Sequence, residues 1–172
     1  MSLVHSFPPL VPTHARVLIV GSMPGRASLA AGRYYAHPRN SFWPILGALL
    51  GFAADAPYER RLEALAGAGI ALWDVLASCE REGSLDGAIA AIGRTANDFA
   101  ALFASQPGLG TVLCNGGKAH DLFVRQVVPT LPRRPDVVRL PSTSPAHASR
   151  SQAAKQAAWG AALLPRLDGR CS

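Results

Sequence analysis

The stretch GRYYAHPRNSFWPIL, Gly32 to Leu46, holds two Tyr, a His, an Asn, a Phe and a Trp, whereas aromatics are only 7% of the chain. Rings set among short polar side chains suit a flat, neutral, hydrogen-bonding ligand stacked on an aromatic face. Three other stretches share this small, polar character: GSMPG (21–25), NGG (115–117) and PSTSPAH (141–147). Backbone N–H groups of GSMPG can line a small pocket, and NGG has the composition of a turn. Asp74 follows an apolar run. At a strand end it is a candidate base or metal ligand, but with no second carboxylate at a suggestive spacing the default reading is a solvated or capping residue.

Several chemistries are disfavoured by what the loops lack. GSMPGRAS is neither G-x-G-x-x-G nor G-x-x-x-x-G-K-[ST], so a dinucleotide or P-loop site is not indicated. No G-x-S-x-G elbow occurs, and Ser142 and His147 share a proline-containing loop rather than a hydrolase framework. The H-x-E and P-C-x-x-C ligands of a zinc nucleobase deaminase are missing. Cys79, Cys114 and Cys171 are widely spaced and form no C-x-x-C pair, which argues against a disulfide framework or a metal site.

The loops need elements to hold them. Val17 to Val20 is a short β-branched run that reads as a buried strand ending at Gly21, followed by a polar loop through Pro38. In NSFWPILGALLGF, Phe42, Ile45, Leu46, Leu49 and Leu50 recur at helical spacing. Asn40 or Ser41 would cap that helix, placing Pro44 in its first turn. Phe42 and Trp43 then belong to the core. A helix is expected from about Tyr58, a strand ending near Asp74, and a helix capped by Thr95 or Asn97. A strand through Cys114, a helix from near Lys118, a strand before PSTSPAH and a helix from Ser149 or Ser151 complete the series. Strands alternating with helices predict a largely parallel sheet, whose functional loops lie beyond the carboxyl ends of its strands.

At 172 residues, 49% of them apolar and 16% charged, the chain has globular composition and the length of one domain. The formal net charge of +6, nearly all of its cations Arg, suits a polyanionic partner. No apolar run approaches a membrane span, and the N-terminus lacks a signal-peptide pattern, so a soluble, cytoplasmic protein is expected. A pocket for a flat ring on a basic surface suggests a base drawn out of a nucleic-acid stack.

The blocks VGSMPG, GRYYAHPRNSFWPIL, LWDVLASCEREGSLDGAI, VLCNGGKAHDLF and LPSTSPAH together resemble the uracil-DNA glycosylase superfamily. The likeness is greatest to its sixth family, the hypoxanthine-DNA (deoxyinosine) glycosylases, and runs from about Val17 to Trp159 with the blocks in family order. It implies one domain over 1–172, with a core of about 15–165. The implied fold is α/β: a three-layer α/β/α sandwich with a central, mostly parallel four-stranded sheet. The implied activity is that of a monofunctional base-excision enzyme acting on damaged DNA as a monomer, with no metal or cofactor. Uracil-type specificity, and a catalytically silent nucleic-acid-binding relative, are the alternatives.

Residue by residue, the resemblance makes GSMPG the first motif, with Ser22, Met23, Pro24 and Gly25 at the base. Met23 stands where mismatch-type relatives carry a water-positioning Asn. The catalytic role then passes to Asn40 of HPRN. Tyr35 matches the aromatic that stacks on the flipped base, and Asn115 is a candidate reader of its edge. LPSTSPAH matches the loop that enters the minor groove and touches phosphate, assigning Ser142, Thr143, Ser144, Pro145, Ala146 and His147 to DNA. His147 departs from the family's STSPAN pattern. Arg39, Lys118 and Arg150 are candidate phosphate contacts.

Overall fold

In a computed structural model, residues 2–83 and 85–168 are described. Cys171 lies outside them. The elements run β1 (Ser2–His5), β2 (Val17–Gly21), α1 (Arg26–Ala31), α2 (Phe42–Leu50), α3 (Tyr58–Gly67), β3 (Ile70–Asp74) and β4 (Leu76–Arg81). Then come β5 (Thr95–Ala96), α4 (Phe99–Ser105), β6 (Thr111–Asn115), α5 (Gly117–Leu122), β7 (Asp136–Leu140) and α6 (Gln152–Leu167).

The main sheet has the order β3-β2-β6-β7, and every neighbouring pair is parallel. Alternation along its strands fills two cores. Leu18 and Val20 of β2, Trp73 of β3 and Cys114 of β6 face Phe99 and Phe103 of α4 and Leu122 of α5. Val17 and Ile19, Leu72 and Leu113 face Phe42 and Trp43 of α2, Leu65 of α3 and Trp159 of α6. Helices on both faces of a parallel sheet make the expected α/β/α sandwich. Phe42 and Trp43 are core residues, 0% and 4% exposed.

Three features depart from the sequence reading. The segment read as a polar loop through Pro38 contains α1, a six-residue helix closed by Gly32. A second sheet, β1-β4-β5, is antiparallel and was not anticipated. A single residue, Val75, separates β3 from β4, so one chain segment serves both sheets. The cap of α4 is Asp98, whose carboxylate accepts from Ala101 N–H, rather than Thr95 or Asn97. Asn97 is occupied elsewhere, donating to the Asp74 carbonyl at 2.8 Å. Ser151 caps α6 by accepting from Ala154 N–H.

Within the parallel order, β2 connects onward to β3 on one side and pairs with β6 on the other. The carboxyl ends of β2 and β6 therefore diverge in their connections, the place where open sheets form crevices.

Candidate active site

At that edge lies a cleft of about 710 Å³. Its walls come from the ends of all four parallel strands: Gly21 onward after β2, Asp74 of β3, Asn115 of β6, and Ser142 onward after β7. Sequence-expected residues that line it are Ser22, Met23, Pro24, Gly25, Tyr35, Asn40, Asn115 and Lys118. Ser142, Thr143, Ser144, Pro145, Ala146 and His147 line it as well. Arg39 and Arg150 are exposed and do not.

The aromatic segment is braced from beneath. Trp43 Nε1 donates to the Tyr34 carbonyl at 3.0 Å, and Tyr58 Oη accepts from Tyr34 N–H at 3.0 Å. The Tyr34 hydroxyl donates to the Pro8 carbonyl, and Ser28 Oγ accepts from Ala36 N–H. The Arg61 guanidinium covers the other side of Trp43, 4.8 Å from its ring centroid. This bracing holds Tyr35 at φ 55°, a left-handed conformation that costs a side-chain-bearing residue about 1–3 kcal/mol and clusters at functional sites. One face of the Tyr35 ring stacks on Phe42, with centroids 3.9 Å apart and planes at 20°.

Asn40 combines two positions. Its Oδ1 accepts from the N–H of Phe42, the first residue of α2, at 2.9 Å, which fixes the amide one residue before the Ser41 cap, while the residue lines the cleft. Next to it, Ser41 N–H donates to the Thr143 carbonyl at 2.9 Å, tying this loop to the one after β7.

The structure changes the picture at four residues. Asn115 spends both ends of its amide on Thr143: Oδ1 accepts from Thr143 N–H and Nδ2 donates to Thr143 Oγ1, each at 2.9 Å. It acts as a clamp, with one Nδ2 proton to spare. Thr143, expected to face DNA, is 1% exposed, its N–H and hydroxyl turned to Asn115. Its neighbours bend the loop into successive turns, with Ser142 Oγ accepting from Ser144 N–H and Ser144 Oγ from Ala146 N–H. Ser22 gives its hydroxyl proton to Asp86. The fourth residue is Asp74. Far from being solvated, it is 3% exposed in the cleft wall, and its Oδ2 has no hydrogen-bond partner.

Burial, with Asp86 nearby and only partly offset by Arg81, pushes the Asp74 carboxyl up to about 7. Arg81, itself 2% exposed, donates to the Pro24 carbonyl and so props the loop after β2. Burial and the Asp74 charge also push the Tyr35 hydroxyl well above its ordinary range. Sequence reasoning missed Asp74, Asp86 and Arg81 as a group. The available signal was the run WDVLASCEREGSLD, whose charged residues follow a strand end pointing at the other site loops.

Two glycines are required by close approach. A Cβ on Gly21 would stand 2.6 Å from Asp74 Oδ1, and one on Gly116 (φ 97°) would stand 3.0 Å from Ser142 Cβ. Lys155 reaches from α6 to fix the far loop: it is 4% exposed and donates to the His147 carbonyl at 2.6 Å. Among the described residues no group of three His, Cys, Asp or Glu converges as metal ligands would. None of their helices is long and apolar enough to cross a membrane.

Comparison with known proteins bears on what this cleft does. The family model of the uracil DNA glycosylase superfamily matches residues 8–167. A hypoxanthine DNA glycosylase of Methanosarcina barkeri is 40% identical over 116 residues, covering 67% of this chain and 72% of that one. Its counterpart in Methanosarcina acetivorans is 37% identical over the same shares. A solution NMR structure from Methanosarcina acetivorans, described as a candidate uracil DNA glycosylase, superposes with a TM-score of 0.79 at 30% identity. It covers 96% of this chain and 99% of its own.

Proposed function

The chain belongs to the uracil DNA glycosylase superfamily, and from that premise we propose that it is a monofunctional DNA glycosylase releasing hypoxanthine from deoxyinosine, acting as a monomer. The observation that carries this reading is that Tyr35 and Asn40 line one cleft together with the loop after β7. Likeness to two hypoxanthine DNA glycosylases supports the choice of base. So does Met23, a thioether in the cleft wall that cannot polarise water.

Cleaving an N-glycosidic bond develops positive charge on the sugar and negative charge on the leaving base, and it needs a placed water. Asn40 orients that water. Its Oδ1 is held by Phe42 N–H, keeps a second lone pair for a water proton, and is fixed before substrate arrives. Tyr35 offers the face not covered by Phe42 to the extruded base, a contact that contributes about 1–3 kcal/mol. The loop from Ser142 to His147 enters the duplex, with Pro145 and Ala146 as its stiff, small tip, while Ser142, Ser144 and Lys118 approach phosphate.

Base release from deoxyinosine, uracil and xanthine duplexes, followed as strand scission at the abasic product, tests the reading. Deoxyinosine should be processed fastest. Asn40→Ala should lower its rate by about 10²–10³-fold with the fold intact. Preferential release of uracil, or tight lesion binding with no release from any duplex, would overturn it.

A further inference from the structure

Catalysis by Asn40 and Tyr35 leaves the acid in the cleft wall without a task. Asp74 closes β3 directly opposite Gly21 of β2 in the parallel register. Its Oδ2 and the Tyr35 hydroxyl are both buried without a hydrogen-bond partner. The Asn115 amide lies beside that hydroxyl and holds its pKa down somewhat; Oδ1 and one Nδ2 proton are on Thr143, and the other Nδ2 proton points to no partner at full hydrogen-bond geometry. Asp74 Oδ1 and Tyr35 Oη come within 2.6 and 3.4 Å of the point where a Cβ on residue 21 would stand. Glycine at that position leaves open the space between the two groups, both of which line the cleft.

The surroundings favour a carboxyl that keeps its proton. Asp86, brought in from the turn Asp86–Ala88, opposes a second negative charge, whereas Arg81 of β4 favours one. Tyr34 and Tyr35 face it from the loop before α2 and sense its charge. Arg26 and Lys118 also line the cleft, and its histidines and second acid have contacts or places of their own. His37 accepts from Arg39 N–H through Nδ1, and His147 belongs to the loop after β7. Asp86 accepts the Ser22 hydroxyl.

We propose that Asp74 is the general acid of the excision reaction, delivering its proton to the acceptor edge of the departing base, N7 or the C6 carbonyl of an oxopurine. This rests on reading the cleft as a glycosylase site. The bond from C1′ to the base nitrogen breaks with its electron pair going to the base. The proton leaves the Asp74 carboxyl for the base, which departs neutral. The carboxylate left behind faces the cationic sugar. The oxygen of the water held by Asn40 bonds to C1′, and its surplus proton returns to Asp74, restoring the acid.

Single-turnover hypoxanthine release from a deoxyinosine duplex between pH 5.5 and 9, with wild type and Asp74→Asn, tests the assignment. The wild-type rate should fall by about tenfold per pH unit once Asp74 ionises, and the variant should lose about 10²–10⁴-fold and that limb together. A variant with the wild-type rate, or with the same limb, would overturn the proposal. The ¹³Cγ shift of Asp74 in the wild-type protein gives a reading that does not depend on the variant folding. Titration near neutrality supports the assignment, and titration below pH 5 overturns it. Wild type that releases no base at any pH would instead overturn the glycosylase reading beneath it.

Discussion

Replacing Asp74 by Asn should make the protein more stable, by an amount that grows with pH. The carboxyl is 3% exposed, and its burial beside Asp86 moves it from 3.8 to about 7. An unfolded chain ionises this group in the ordinary carboxylate range, while the folded chain holds the proton until about 7. Between those values folding takes up a proton, so the stability the acid contributes is present at low pH and is lost as pH rises. At about 1.4 kcal/mol per pH interval of one, the move from 3.8 to about 7 amounts to about 4 kcal/mol between pH 4 and pH 8. Asn carries no such proton in either state. The difference between variant and wild type should therefore widen by about 4 kcal/mol over that range. At roughly 2–4 °C per kcal/mol for a domain of this size, that corresponds to about 8–16 °C in melting temperature. Thermal melts of both proteins at pH 4 and pH 8 measure it, and the carboxylates common to both cancel in the difference. A gap that stays constant with pH, or one that narrows, would refute the reasoning.

Gly21→Ala would place a methyl group 2.6 Å from Asp74 Oδ1 and should reduce excision by about 10²-fold, read in single-turnover assays. Asn115→Ala would strand two buried groups of Thr143 and should cost about 2–4 kcal/mol in urea denaturation. Lys155→Met would release the His147 carbonyl and should weaken binding to lesion DNA by about tenfold in titrations, with the melting temperature moved only a few degrees.

How much of this was legible in the sequence depended on whether a feature is local. The four parallel strands and the helices on both faces show in apolar runs such as Val17 to Val20 and in the spacing from Phe42 to Leu50. The motif loops carry their chemistry on adjacent residues, and nearly all of them converge on one cleft. What stayed hidden depends on partners distant in sequence. Asp74 looked solvated because its burial is made by Gly21, Tyr35 and a turn at Asp86 that also meets Ser22, 64 residues away. The antiparallel sheet escaped notice because β1 and β4 are short and partly polar, and β5 is two residues long. Asn97 misled as a cap because its amide is claimed by Asp74, across an interaction no local pattern records.

Thr143 carries a consequence of another kind. Its backbone N–H and hydroxyl are held by Asn115, and its carbonyl is held by Ser41 N–H. The loop after β7 and the loop that bears Asn40 are thus fastened at a single node. Neither shifts without straining the other, so little of the adjustment on binding falls to the enzyme. The duplex must supply it, and a pair that is already poorly stacked or mispaired opens at lower cost than a sound one. A rigid fastening between two loops thereby turns the softness of damaged DNA into a means of finding it.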